Sequence, residues 1–253
     1  MITPCRSLLL SVFALLTAAT AQAQVRITEV NVSTRNVEVT NFGAASVNLT
    51  GWRFCHIFTY PSLSGNIAAG ESRQFSVTFN QTASDLCLYR AALAGETFSF
   101  GDPNFMQDFI QWGAGGQGRQ SVAVAKGIWT NSPPASAFFA VPAAGLSFHA
   151  KAQPPATGVR NSNWFTGLPH AGFPVPAPEL ESFAIVGGEW RLIAKSYHLL
   201  PALRTEANAN LSTVWPVQTP VVADLGLTAG RRRFDIRFPT TGLRQFVRMR
   251  ADP

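Results

Sequence analysis

Ser72-Arg73-Gln74-Phe75-Ser76-Val77-Thr78-Phe79 sets the reading of the whole chain. Phe75, Val77 and Phe79 alternate with Gln74, Ser76 and Thr78. A period of two sends one row of side chains into a core and the other into water, as a β-strand does and a helix cannot. Runs of the same kind recur on either side, at Val25 to Val32, Asn36 to Asn41, Gly51 to Thr59, Leu86 to Arg90, Thr97 to Phe100 and Asp108 to Trp112. Turn-forming residues separate them, in Asn41-Phe42-Gly43, Ala69-Gly70-Glu71 and Gly101-Asp102-Pro103-Asn104. No stretch sustains a helical period. The fold class is therefore all-β, and short strands at this spacing predict a sandwich.

Residues 1–23 read differently. A short charged region with Arg6 precedes the apolar run Leu8 to Leu16, and Ala21-Gln22-Ala23 closes it with small residues, the form of a cleavable export signal. The run falls well short of the roughly 20 residues that span a bilayer. Cys5 lies ahead of it, where the modified cysteine of a bacterial lipoprotein would not be. The expectation is a mature chain from Gln24, secreted or periplasmic or attached at the cell surface, with no transmembrane segment. Cys55 and Cys87 then remain, an even count in a compartment where disulfides persist, and a bond between them is expected. Closing that loop would contribute about 3 to 4 kcal/mol in the chain-entropy description; two buried free thiols are the alternative.

The charge is uneven. Residues 24–186 carry nine basic and nine acidic side chains, whereas 187–253 carry ten basic and five acidic. Residues 131–180 are rich in Pro, Ala and Gly but include Phe138, Phe139, Phe148, Trp164 and Phe165, too many aromatics for a solvated linker. These observations predict a first unit over 24–173, its Pro-rich part wrapping back on the sandwich, a connector at 174–180 and a smaller basic β-unit over 181–253. In the second unit, strands are expected at Phe183 to Val186, Trp190 to Tyr197, Ala202 to Ala207, Val214 to Val217, Arg232 to Phe238 and Leu243 to Arg250.

Several blocks resemble the lamin-tail domain in its secreted bacterial form: Ile27 to Asn31 (ITEVN), Val37 to Gly43 (VEVTNFG), Val47 to Cys55 (VNLTGWRFC), Ala68 to Ser72 (AAGES) and Phe109 to Thr130 (FIQWGAGGQGRQSVAVAKGIWT). The resemblance covers about 100 residues in the expected order and implies an immunoglobulin-like β-sandwich, usually non-catalytic, with no catalytic residues to transfer. Trp52-Arg53-Phe54-Cys55-His56 stands where the family often has a plain Trp-Thr-Leu strand, which places the disulfide in a subset of the family. More weakly, Leu211 to Trp215 and Arg244 to Arg248 resemble the fibronectin-III-like modules of secreted bacterial proteins.

Trp52 and Trp112 read as core residues. Glu29 and Glu38 fall inside apolar strands, where satisfied half-buried carboxylates are the common outcome, and no chemistry is assigned to them. Gly113, Gly115 and Gly118 spell G-x-G-x-x-G, but the following Ser121 to Gly127 is too short for a crossover helix, so no nucleotide cofactor is expected and the glycines read as a tight loop under Trp112 or Trp129. His56, His149, His170 and His198 are scattered, which argues against a metal site. No G-x-S-x-G, H-E-x-x-H, P-loop or EF-hand sequence occurs.

One pattern points to a ligand. If Pro239-Thr240-Thr241-Gly242 is a hairpin loop, Phe234, Phe238, Leu243 and Val247 share one face and Arg237 meets Arg244, Arg233 meets Arg248 and Arg231 meets Arg250 on the other. Like charges opposite one another destabilise a ladder, so these six arginines are either offset by acids such as Asp235 or form an anion-binding strip. The expected function is non-catalytic binding or adhesion outside the cytoplasm, with extracellular polysaccharide or another anionic polymer as partner. An accessory or degenerate hydrolase module acting on extracellular polymer is the alternative.

Overall fold

A computed structural model describes residues 25–133, 137–151, 159–197, 203–208, 217–218, 221–229, 231–239 and 246–251. The expected export signal and its cleavage point lie outside them. The chain is all-β apart from one short helix among the described residues.

The chain begins with strands β1 (Val25–Asn31), β2 (Asn36–Asn41), β3 (Val47–Asn48), β4 (Arg53–Cys55), β5 (Asn66–Ile67), β6 (Ser72–Ser76), β7 (Ser84–Tyr89) and β8 (Met106–Trp112). Helix α1 (Gln120–Lys126) follows, then β9 (Ser147–Ala150) and β10 (Trp164–Gly167). One sheet runs β10-β9-β1-β2-β6, a second β4-β7-β8, and β3 pairs with β5. Alternation explains β2, whose Val37 and Val39 are fully buried. Ile27 and Val30 join them in one core with Phe54, Leu86, Leu88 and Ile110 of the facing sheet. Burying an aliphatic side chain of this size stabilises by roughly 1.5 to 3 kcal/mol. Strand β8 is buried along its whole length because α1 and Trp129 cover its second face, with Phe109 edge-on to Trp129 at 4.9 Å.

Several expected strands change. The run Gly51 to Thr59 keeps only β4, because His56 and Thr59 exchange both backbone hydrogen bonds (3.0 and 2.8 Å) and the chain reverses at Ile57 and Phe58, with φ of 40° and 62°. Strand β6 stops at Ser76, although Val77 and Phe79 continue inward. Thr97 to Phe100 forms no strand, since Phe98 and Phe100 turn their rings onto Tyr89 and each other. From the Pro-rich stretch, β9 and β10 extend the first sheet beside β1, with Phe148 and Trp164 buried.

After them come β11 (Glu179–Val186), β12 (Glu189–Ser196), β13 (Leu203–Asn208), β14 (Val217–Gln218), β15 (Val221–Thr228), β16 (Arg231–Pro239) and β17 (Phe246–Ala251). They form two sheets, β11-β12-β16-β15 and β14-β13-β17. Leu192, Ala194, Phe234 and Ile236 make a core cluster separate from that of the first unit.

Candidate functional site

The arginine hairpin expected from the sequence does not form. Strand β16 lies between β12 and β15, whereas β17 pairs with β13 in another sheet, so Arg233 does not face Arg248 across a ladder. Arg248 stands opposite Glu206 and Arg250 opposite Arg204, and Arg244 lies outside the described residues. The reason is β15, a strand the sequence reading left unassigned. It reaches β16 by a tight reversal at Ala229, whose φ is 50°, and takes the edge that β17 was expected to occupy.

Like charges do oppose one another, but across β12. Arg191 is the register partner of Arg237, and Lys195 that of Arg233. One carboxylate serves each pair. Asp235 accepts Arg237 Nη2 at 2.6 Å and Arg191 Nη2 at 2.9 Å, and Glu181 takes Arg233 Nε at 2.7 Å and Lys195 Nζ at 2.9 Å. Arg231 meets Glu179 at 2.5 Å. The hydrogen bonds from Arg237 and Arg191 hold the Asp235 carboxyl at about 2. The result is a charged face carrying five ordered cations, of which Arg191 and Arg237 remain 41% and 46% exposed. Arg191, Lys195, Glu179 and Glu181 were missed from sequence because their role depends on which strand neighbours β16.

The expected disulfide is absent. Cys55 and Cys87 are register partners on β4 and β7, yet both are free, buried thiols. Cys87 Sγ donates instead to Asp85 Oδ2 at 3.4 Å, and burial pushes its thiol up, which leaves a poor nucleophile. An even cysteine count does not fix sulfur geometry.

Asp85 also explains the glycine motif. Its Oδ2 accepts the Arg119 N–H at 2.7 Å, just before α1, and its Oδ1 accepts the Ile57 N–H at 2.7 Å. A Cβ on Gly118 would lie 2.4 Å from Asp85 Oδ2, and one on Gly113 would lie 1.9 Å from the Thr82 carbonyl oxygen. An internal carboxylate thus occupies the place where a dinucleotide-binding turn would receive phosphate. The strands before the motif, β7 and β8, are antiparallel, so the parallel βαβ setting is missing as well. Phe138 and Ala137 approach Gly115, and Trp112 and Trp129 donate to the Asn80 and Ala137 carbonyls.

Glu29 and Glu38 are register partners on β1 and β2, beside a bulge at Thr28, and His149 of β9 faces Glu29 from the other side. All three are buried, with Ser147. Glu38 accepts the Thr28 hydroxyl at 2.7 Å and the Gly172 N–H at 2.5 Å, and Phe173 N–H reaches Ser72 Oγ at 3.2 Å. Residues 168–173 therefore close over the polar side of this sheet. The carboxylates clasp that strap, and Ser147, His149, Glu29 and Glu38 are each 4% exposed or less. Burial raises the Glu29 carboxyl to about 7, opposed by Ser147 and reinforced by Glu38.

Among the described residues no cluster of three or more His, Cys, Asp or Glu could hold a metal, and no helix is long and apolar enough to cross a membrane. Fold and surfaces together define an all-β chain of several antiparallel sheets with a charged face on its C-terminal one. No protein-family description, curated protein or solved structure matches this chain.

Proposed function

We propose that the chain is an exported, non-catalytic binding protein, its first unit a sandwich of the lamin-tail type and its second a sheet that holds anionic polymer on its charged face. The pairwise placement of like charge carries the reading: Arg191 opposite Arg237 and Lys195 opposite Arg233. Such pairs weaken a ladder, and a sheet under selection for stability alone would alternate the signs. A shared carboxylate orders each pair while leaving the guanidinium groups of Arg191, Arg233 and Arg237 34% to 46% exposed. Cations already held in place lose little entropy when a chain of repeating anions replaces the solvent over them. Residues two apart on β16 repeat at roughly 6.6 Å, a spacing suited to a charged polymer rather than to one small ion.

The test is retention on an immobilised sulfated polysaccharide during a salt gradient. The parent chain is expected to elute at higher NaCl than Arg233→Gln/Arg237→Gln, and co-elution of the two would defeat the proposal. For export, N-terminal sequencing of the expressed protein outside the cytoplasm should begin at Gln24. A chain retained in the cytoplasm with its leader would remove that part of the reading.

A further inference from the structure

A second concave surface lies on the first unit, remote in sequence from the charged sheet. The chain between β7 and β8 arches toward the last turn of α1 and leaves a cleft of about 430 Å³, lined by Arg90, Glu96, Thr97, Asp102, Asn104 and Lys126, with Phe105 beneath. Its floor is rigid. The Arg90 guanidinium lies 4.6 Å from the Phe105 ring and is forked by Glu96 at 2.5 and 2.8 Å, so this side chain, only 9% exposed, is fixed before any ligand arrives. Its Nε is buried without a hydrogen-bond partner. Lys126 is half-buried at the cleft wall, and no carboxylate among the described residues reaches it within ion-pair distance. Asp102 spends one oxygen on the Asn104 N–H at 2.8 Å and keeps the other, and the Asn104 amide and Thr97 hydroxyl make no side-chain hydrogen bond to a described residue.

Within the lining Arg90 is taken by Glu96, which leaves the Lys126 ammonium and the Asp102 carboxylate, and the Arg26 and Arg90 cations both bear on Lys126. Burial and the neighbouring Arg26 and Arg90 lower the Lys126 ammonium from its ordinary value, and a bound anion would relieve that. Beside the cation, the free Asp102 oxygen, the Asn104 amide and the Thr97 hydroxyl offer the mixed donors and acceptors that hydroxyl groups require. A pocket of this size suits a compact polar molecule.

We propose that this cleft binds one acidic sugar ring, its carboxylate at Lys126 beside Arg90 and its hydroxyls at Asp102, Asn104 and Thr97. This site is independent of the charged face of the second unit. The experiment is a titration of the isotope-labelled mature chain, followed by backbone and side-chain amide shifts, with glucuronate, acetate and glucose as probes. Glucuronate is expected to saturate signals from Asn104 and Lys126, about tenfold more tightly than acetate, and glucose not to saturate. Lys126→Gln should weaken glucuronate about tenfold, and Asp102→Asn should narrow the gap between glucuronate and acetate. No saturation by glucuronate, or unchanged affinity in Lys126→Gln, overturns the site. Equal binding of acetate overturns the sugar assignment. Loss of glucuronate binding in Arg233→Gln/Arg237→Gln, with Lys126→Gln unaffected, would move the ligand to the second unit and sink the proposal. Should Lys126→Gln fail to fold, Asp102→Asn alone decides: an unchanged preference for glucuronate over acetate then counts against the site.

Discussion

Glu29 is a carboxyl that folding has made expensive to ionise. Its value of about 7 in the folded chain stands above the ordinary 4.5, so its contribution to stability is complete below pH 4.5 and is lost as pH rises through 7. The shift corresponds to about 3 kcal/mol as an upper bound. Glu29→Gln should therefore be more stable than the parent at pH 8 and similar to it at pH 4, as read from urea midpoints. Equal midpoints at pH 8 would show that Glu29 ionises freely. At Gly118 the constraint is steric: φ is 38° and a methyl group would overlap the Asp85 carboxylate. Gly118→Ala is expected to cost at least about 2 kcal/mol, through strain in the left-handed region and displacement of the hub that holds Ile57 and Arg119. A thermal midpoint within a degree of the parent's would refute this.

At the scale of elements, Asp235 decides whether β12 and β16 can lie side by side. Removing its charge leaves Arg191 facing Arg237 with no shared anion between them, and Asp235→Asn should lower stability by about 2 kcal/mol. Because the two arginines hold this carboxyl at about 2, below the ordinary 3.8, its contribution is present above pH 3.8 and fades as pH falls through 2. A denaturation series from pH 6 to pH 2 measures both effects; a variant that tracks the parent throughout would contradict them. How much of this was legible depends on how local the information is. The bounds of β2 follow from alternation within six residues, and Phe75, Val77 and Phe79 point inward as that pattern requires. Strand β15 escaped because a bulge between Asp224 and Gly226 breaks its period of two. The reversal at Ile57-Phe58 uses residues that disfavour positive φ, so no turn signal marks it. Glu29 and Glu38 were visible as misplaced charges, but their partners across the sheet and under the strap were not. Asp85, Arg191 and Lys195 act through neighbours that only the assembled sheets bring together.

At the scale of the molecule, the described residues form two hydrophobic clusters, one drawn from residues 25–164 and the other centred on Leu192, Ala194, Phe234 and Ile236. The second is far smaller and should melt first. Calorimetry is expected to resolve two transitions, the earlier one abolished by Phe234→Ala with the later one unmoved; a single transition in both proteins would indicate one cooperative unit. Within the larger body, two buried acids tie together distant parts of the chain. Asp85 bonds residues 28 and 34 positions away, and Asp108 bonds Ile27 across 81 positions. Asp85 must wait for Arg119 and Asp108 for Arg160, so each stays partly hydrated until well after its own strand has been made. The protein should consequently acquire its native form late and slowly, in milliseconds to seconds after dilution from denaturant, and its half-made intermediates are the species most in need of a chaperone. Stopped-flow tryptophan fluorescence would expose the opposite behaviour as a completed signal within the dead time.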